Sequence, residues 1–296
     1  MRASYGRLPT EQAHPRARDL DHLPLPRLLR LMSDEDARVV AVVRRAHPDI
    51  ARAIRLIAVA LRRGGRLRFI GAGTSGRLGV LEAAECPPTF STHPALVQSV
   101  IAGGRGAVFR SREGAEDDAA AGRREVRRRV RAGDAVVGIA ASGLTPFVDG
   151  ALREARRRGA VTVLVTGNPR TPIPAAVRIV LATGPEVLAG STRLKQATAA
   201  KLVLNMLTLG AMVRLGKTYG NLMVDVRPTS RKLRARALAL VQRIARCSPS
   251  SARAALRQAR GGVKAAVLIA GCGLTAAQAR RRLASTHGSL RRALGR

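Results

Sequence analysis

Short apolar runs alternate with helical patterns through the middle of the chain. The runs that predict β-strands are Arg66–Ile70, Ala95–Ile101, Ala135–Ala140, Thr162–Val165 and Val177–Leu181. Between them, apolar residues recur at helical spacing in residues 76–84, 116–131 and 146–158. This alternation is typical of an α/β fold whose five-stranded parallel sheet is covered by helices on both faces. In such a fold the loops after the strands meet at the carboxyl edge of the sheet, where ligands bind.

The two ends of the chain have different patterns. Residues 1–33 are polar and interrupted by prolines, which predicts an N-terminal arm. We expect a helix that begins at Ser33 with a break near Pro48, and later a long helix capped by Ser191 or Thr192. Toward the C-terminus only helical patterns remain. The predicted division is an arm (1–33), an α/β domain (34–227) and a small C-terminal helical domain (228–296).

The first predicted strand runs into a glycine-rich turn, Gly71-Ala72-Gly73-Thr74-Ser75-Gly76. Its hydroxyls and the free N–H groups of a helix start can donate to an anion. The spacing also matches the G-x-G-x-x-G dinucleotide fingerprint, but no acidic residue ends the next strand. Arg105 at that point leaves NADP as an alternative, and a turn that needs glycine only for packing is another. The hydroxyls favour a small phosphate bound at Gly73, Thr74 and Ser75.

Two later loops carry similar signals. One follows the third strand, where Thr145 and Pro146 predict a capped helix start. The other lies at 184–195 and combines hydroxyls with a lysine at a predicted helix start, which suits an anion. Each loop could also be an ordinary capped helix. The candidate binding residues in these loops are Ser142, Gly143, Thr145, Ser191, Thr192 and Lys195.

Carboxylates are scarce in this chain, with only 19 Asp and Glu residues, so their positions carry information. Four of them lie within Glu113–Asp118, and Glu82 and Glu85 are three residues apart on the helix after the first loop. A carboxylate beside a bound sugar phosphate can act as a general acid or base if burial raises its pKa. The alternative is that acids in a first helical turn only stabilise the helix dipole.

The net charge of +34 suggests a nucleic-acid partner at first sight. Most of the 53 basic residues are dispersed arginines, and with two Tyr, four Phe and no Trp there are few aromatic rings to stack on bases. We therefore expect a solvated basic surface whose DNA binding is weak, non-specific and lost with salt. No leader, no apolar run long enough for a bilayer and no metal-ligand spacing is recognised, so we expect a cytoplasmic protein without a metal.

Several longer motifs resemble the N-acetylmuramic acid 6-phosphate etherase family, and the resemblance covers nearly the whole chain. They are Gly71–Gly79 with Glu85-Cys86-Pro87-Pro88-Thr89, Glu113–Asp117, Gly138–Gly143, Gly184-Pro185-Glu186, Ser191–Lys195, Lys201–Met206, Gly216-Lys217 and Tyr219–Asp225. The resemblance implies a sugar-isomerase (SIS) type three-layer sandwich, a homodimer and a C-terminal helical domain. It also implies cleavage of the D-lactyl ether of N-acetylmuramic acid 6-phosphate, with no metal or redox cofactor.

The family's catalytic glutamates match Glu85 and Glu116. We assign Glu116 as the base that removes the C2 proton of the open-chain sugar. Glu85 is the acid for the departing lactate and then the base for water. The sequence departs from the family pattern at Leu144, Phe147 and Ala197, and Leu144 replaces a cation beside the presumed phosphate loop.

Two rival functions use the same fold. An aldose–ketose isomerase would also need a C2 base but would release no lactate. A sugar-phosphate sensor, as the related glucokinase regulatory protein suggests, would bind without turnover. Such sensors usually carry a second sugar-binding domain, and DNA-binding relatives carry a helix-turn-helix. Neither feature is recognisable in this sequence.

Overall fold

A computed structural model describes residue 6, residues 8–226 and residues 230–295. The chain forms two compact units. Unit 1 comprises Met1–Ala84 and Ala95–Thr208, and unit 2 comprises Glu85–Pro94 and Leu209–Arg296. The predicted domain boundary at 227/228 lies outside the described residues, so the predicted division stays a proposal.

The helices and strands follow one another in the predicted alternating order through the middle of the chain. In chain order they are α1 (Leu25–Arg45), α2 (His47–Arg62), β1 (Leu67–Gly71), α3 (Gly73–Phe90), β2 (Val97–Ile101), α4 (Ala119–Arg129), β3 (Ala135–Ala140), α5 (Pro146–Arg157), β4 (Val161–Thr166), β5 (Val177–Val180), α6 (Lys195–Arg214), α7 (Arg231–Ala245), α8 (Pro249–Gln258), α9 (Val263–Cys272), α10 (Ala276–Ser285) and α11 (Leu290–Ala293).

The five strands form one parallel sheet in the order β2-β1-β3-β4-β5, which confirms the predicted fold class. Phe69 of β1 lies opposite Val137 of β3, and Val137 lies opposite Val163 of β4. These side chains are fully buried. Parallel strands that are covered on both faces need such continuous apolar runs. The strand positions could therefore be predicted from the sequence.

Helices cover the sheet on two faces, as the three-layer prediction requires. A Cβ atom on Gly79 of α3 would lie 2.9 Å from Cβ of Phe69, so α3 packs on the Phe69 face. A Cβ atom on Gly138 would lie 2.8 Å from side-chain atoms of Val148 and Leu152, so α5 packs on the face of Gly138. Gly138 pairs with Ile70, the neighbour of Phe69, and successive residues of a strand face opposite sides.

The direction in which the chain proceeds across the sheet reverses between β1 and β3, and this reversal has functional consequences. The connection from β1 leads through α3 to β2 on one side, and the connection from β3 leads through α5 to β4 on the other. The two loops that follow these adjacent strands therefore separate at the carboxyl edge and leave a crevice. Open α/β sheets bind their ligands at such a switch point.

Two predicted helix starts are wrong. The first helix begins at Leu25 rather than at Ser33, so Ser33 lies inside it and is not its cap. Pro24 and Pro26 had indicated an irregular arm, but proline is well tolerated in the first turn of a helix. The long helix begins at Lys195, after both predicted caps. The predicted break near His47 is confirmed by the end of α1 at Arg45 and the start of α2.

One helix corrects the expectation that no segment could cross a bilayer. Among the described residues, α6 has the length and the mean hydropathy, 1.2, of a membrane span. Half of that window is buried inside the molecule, and Ala199, Val203, Leu204 and Leu207 of α6 belong to the core. A core helix passes the same length and composition test, so α6 is weak evidence for a membrane span.

Unit 2 has its own apolar core. Val224, Ala237 and Val241 pack there with Ala266 and Val267 of α9. Hydroxyl side chains cap the starts of α7, α8, α10 and α11 by accepting a backbone N–H of the first turn, and these caps are Ser230, Ser248, Thr275 and Ser289. The start of α9 at Gly262 has no side-chain cap.

Candidate functional site

The first glycine loop is very short, since α3 begins two residues after the last residue of β1. A Cβ atom on Gly76 would lie 2.5 Å from Cγ1 of Ile101 and 2.8 Å from the carbonyl oxygen of Gly71. Gly73 has a φ of 51° and no neighbouring atom near its Cβ position. The glycines therefore let the helix start meet the strand end closely. Thr74 and Ser75 lie in the first turn, where N–H groups lack partners within the helix.

The second loop, after β3, is supported by the segment that follows the neighbouring strand β4. Thr171 donates its hydroxyl to the carbonyl of Gly143 at 2.6 Å, and Asn168 donates Nδ2–H to the carbonyl of Ser142 at 3.0 Å. Gly143 has a φ of 69°, a conformation that favours glycine. Thr145 occupies the N-cap position of α5, as predicted, but makes no side-chain capping hydrogen bond. These two hydrogen bonds tie the backbone of the loop to the segment after β4.

Glu116 lies at the first loop. A cavity of about 90 Å³ is lined by Gly73 and Arg77 of α3 together with Arg112, Glu113 and Glu116. The carbonyl of Glu116 accepts the N–H of Phe147 at 2.9 Å, which ties the acidic segment to the start of α5. The structure thus brings the predicted acidic segment to the predicted phosphate loop.

The electrostatics of this cavity favour a carboxylate that can gain or lose a proton. The side chain of Glu116 is exposed at the cavity, yet partial burial of its carboxyl group raises its pKa, and the charges of Asp117 and Glu113 raise it further. A raised pKa makes a glutamate a better proton acceptor near neutral pH. Arg77 donates Nε–H to the carbonyl of Val108 at 2.9 Å, so its guanidinium is held beside the same cavity.

The third loop differs from the prediction. The carboxylate of Glu186, which is 1% exposed, accepts the N–H of Lys195 at 3.2 Å and the N–H of Gln196 at 2.9 Å. Burial raises the pKa of this carboxyl group in spite of the two N–H donors. The first turn of α6 is therefore filled by a carboxylate of the chain itself. Ser191 and Thr192 lie in the turn before it.

The side chain of Lys195 forms an ion pair inside the molecule. Its Nζ lies 2.6 Å from Oε2 of Glu35, and Nε2 of His14 lies 3.2 Å from the same oxygen. All three side chains are buried, and Lys195 and His14 lower the pKa of Glu35 against the raising effect of its burial. The role of Lys195 as a direct ligand stays a prediction, and this contact argues against it. Sequence reasoning missed Glu35 and His14 because they lie far from Lys195 along the chain.

A second, small cavity connects the first and third loops. It is lined by Ser75, Ala141, Thr192, Gln196 and Ala197 among others. Ala197 is one of the positions where the sequence departs from the family pattern, and it borders this space. Thr192 thus lies near the first loop, whereas Lys195 does not line this cavity.

The two glutamates of α3 have different surroundings. Glu82 is buried, accepts Nζ–H of Lys201 at 2.9 Å and accepts the hydroxyl of Thr208, so its carboxylate is paired within unit 1. Glu85 is exposed and belongs to unit 2. Its predicted catalytic role stays a prediction. Among the described residues no group of three or more His, Cys, Asp or Glu side chains is arranged to hold a metal ion.

The fold and these loops define a SIS-type α/β protein. The family model described as the glucokinase regulatory protein N-terminal SIS domain matches residues 49–156. A solved phosphoheptose isomerase from Francisella tularensis is similar over 63% of this chain and 100% of its own, at 13% identity and a TM-score of 0.47.

Curated relatives assign the chain to a narrower family. It is 55% identical to an N-acetylmuramic acid 6-phosphate etherase of Gloeobacter violaceus over 88% of this chain and 87% of that one. It is 51% identical to that of Cutibacterium acnes (95% and 94%) and 49% identical to that of Salmonella choleraesuis (98% and 98%). The chain belongs to the N-acetylmuramic acid 6-phosphate etherase family.

Proposed function

We propose that this protein cleaves the D-lactyl ether of N-acetylmuramic acid 6-phosphate and releases N-acetylglucosamine 6-phosphate and D-lactate. The identity of about half of all residues to etherases over nearly the whole chain supports this reaction. The observation that carries it within the structure is the cavity that joins the start of α3 to Glu116. It combines donors for a phosphate with a carboxylate of raised pKa.

The phosphate is bound by the helix starts at the switch point. The first-turn N–H groups of α3 and the hydroxyls of Thr74 and Ser75 donate to its oxygens, and Ser142 and Thr145 donate from the second loop. Neither loop must reorganise much, because β1, β3 and the contacts from Thr171 already hold the backbone. Preorganised donors of this kind bind without a large entropic cost.

Glu116 then acts on the open-chain aldehyde, whose C2 proton is acidic. The carboxylate takes that proton, the C3–O bond to the lactyl group breaks, and the departing oxygen takes a proton from Glu85. Water next adds across the C2–C3 double bond, with hydroxide on C3 and the proton on C2. Glu85, now ionised, is the base for the water, and Glu116 returns the proton to C2. Ether and water are thereby converted to sugar phosphate and lactate.

The test of this proposal is incubation of the purified protein with N-acetylmuramic acid 6-phosphate in D₂O. We expect stoichiometric D-lactate in an enzymatic assay and deuterium at C2 of the product by proton NMR. Deuterium at C2 or ketose formation without lactate would instead indicate an isomerase. Saturable binding without any turnover would indicate a sugar-phosphate sensor. Both of these outcomes would contradict the proposal.

We further propose that the protein is a cytoplasmic homodimer. Large apolar side chains on the surface of unit 1 support association, since Leu25 and Leu29 of α1 are 64% and 55% exposed and Phe109 is 89% exposed. Light scattering after size-exclusion chromatography should give twice the mass of 31.4 kDa. Cell fractionation of the host tests the location, and recovery in the membrane fraction would contradict it.

A further inference from the structure

Unit 2 contains a cavity that the proposed reaction does not use. Its volume is about 680 Å³, which is large enough for a phosphate with a sugar-sized substituent. The charged side chains that line it are Lys217, Asp225, Arg260 and Lys264. Every lining residue belongs to unit 2.

The charges of this cavity do not balance. Nζ of Lys217 lies 3.0 Å from Oδ2 of Asp225, and Nζ of Lys264 lies 2.9 Å from the same oxygen. One carboxylate thus serves two ammonium groups, and Arg260 adds a third cation. No aspartate or glutamate follows Asp225 in the sequence, so helices α7 to α11 bring no further carboxylate to the cavity. Such a surplus of positive charge attracts an anion.

Lys264 is the most buried of these three cations. Its side chain is 9% exposed, and besides Asp225 it donates to the carbonyl of Gly288 at 2.8 Å. Burial lowers the pKa of this ammonium group, while Asp225 counteracts the effect. A buried ammonium that shares the carboxylate of Asp225 with Lys217 gains from a nearby anion, because the anion compensates the cost of its desolvation.

Uncharged donors line the same space. Val263, Lys264 and Ala265, which form the first turn of α9, border the cavity, and Gly262 offers no side chain to cap them. The N–H groups of a first helical turn point outward along the helix axis and suit an anion. Ser91 also lines the cavity.

We propose that the cavity between Lys217, Arg260 and the start of α9 is a second anion site that binds a phosphate dianion, either free or on a small sugar. Lys217 and Arg260 neutralise its charge, and the first-turn N–H groups of α9 donate to its oxygens. Lys264 and Asp225 hold this side of the cavity in place. The site lies within unit 2 and contains none of the residues assigned to the etherase reaction. Its test is therefore independent of the test of that reaction.

The test is isothermal titration calorimetry of the full chain with inorganic phosphate at constant ionic strength. Arg260→Gln and Lys217→Gln should each weaken one binding event by about tenfold, the usual effect of losing a hydrogen bond to a charged group. Arg257→Gln is the matched control, since it removes the same charge from the exposed end of α8 outside the cavity. Arg260→Lys should restore most of the affinity. Crystals soaked in selenate should show an anomalous peak within hydrogen-bond distance of Lys217.

Unchanged affinity in both cavity variants would overturn the proposal. So would an equal loss in Arg257→Gln, since this would indicate attraction by the general basic surface. A repeat with N-acetylglucosamine 6-phosphate distinguishes the two sources of the anion. Tighter binding than that of phosphate, again lost in Arg260→Gln, would mean that the sugar occupies the rest of the cavity. No outcome depends on lactate release.

Discussion

Two helix starts in unit 1 were predicted from the same sequence signals but have different surroundings. Both α3 and α6 begin beside glycine and hydroxyl residues, and both have a cation nearby. The start of α3 borders a cavity with Arg77 and Glu116. The first turn of α6 is occupied by the carboxylate of Glu186. A helix start is therefore an anion site only where the chain does not supply the anion itself.

The cations beside the two helix starts also differ in whether they are paired inside the molecule. Arg77 lines the cavity beside α3, whereas Lys195 at the start of α6 is paired with the buried Glu35. A charge that is already compensated inside the molecule has little attraction left for a ligand. Mutations at the open start of α3 and at the filled start of α6 should therefore have different effects on catalysis and stability.

The largest effect is expected at the carboxylate beside the open start. Glu116→Gln keeps the shape of the side chain but cannot accept the C2 proton, so lactate release should fall by about 10²–10⁴-fold. Deuterium exchange at C2 of N-acetylglucosamine 6-phosphate should be lost as well, whereas Glu85→Gln should lose lactate release and keep the exchange. Glu125→Gln on α4 is the control. Exchange that survives in Glu116→Gln and disappears in Glu85→Gln would reverse the two roles.

A smaller effect is expected from a hydroxyl at each helix start. Ser75→Ala in the first turn of α3 should lower kcat/KM by about tenfold or more, because one hydrogen bond to a charged phosphate is worth roughly 1.5–3 kcal/mol. Ser191→Ala makes the same chemical change before the filled start and should alter kcat/KM much less. Steady-state kinetics of both variants, with circular dichroism to confirm folding, compare the two sites. Equal losses would show that both starts bind the substrate.

The filled start should affect stability rather than catalysis. Glu186→Ala removes the acceptor of two backbone N–H groups at the start of α6, so the free energy of unfolding should fall by about 1–2 kcal/mol. Asp19→Ala is the control, because Asp19 is exposed and its side chain makes no capping hydrogen bond. Urea denaturation measures the difference. A large increase in KM for Glu186→Ala with unchanged stability would place Glu186 in the substrate site.

The smallest effect concerns the pH dependence of the open site. Asp117 helps to raise the pKa of Glu116, after the larger contribution from burial. Asp117→Asn should therefore lower that pKa, and the ionised base should persist to lower pH. The acid limb of the profile of kcat/KM against pH should move toward lower pH with little change in the plateau. A shift in the opposite direction would show that Glu116 is not the group that titrates.

The sequence by itself determined the alternating framework and the position of the first glycine loop. The five strands lie within two residues of their predicted positions, because buried parallel strands need continuous apolar runs that are visible locally. The first loop could be recognised for a similar reason, since its glycines and hydroxyls are neighbours in the chain. The family motifs added Glu85 and Glu116 as candidates.

Only the tertiary structure decided which predicted donors and cations are free for a ligand. Lys195 and Glu35 are 160 residues apart, and Glu186 lies nine residues before the N–H group that it binds. Arg112 and Glu116 meet Gly73 only because the fold brings their segments to the edge of β1. Local patterns reveal helix starts and charged residues. Which partner satisfies a buried charge depends on contacts between distant segments, because leaving that charge unpaired in the interior costs several kcal/mol.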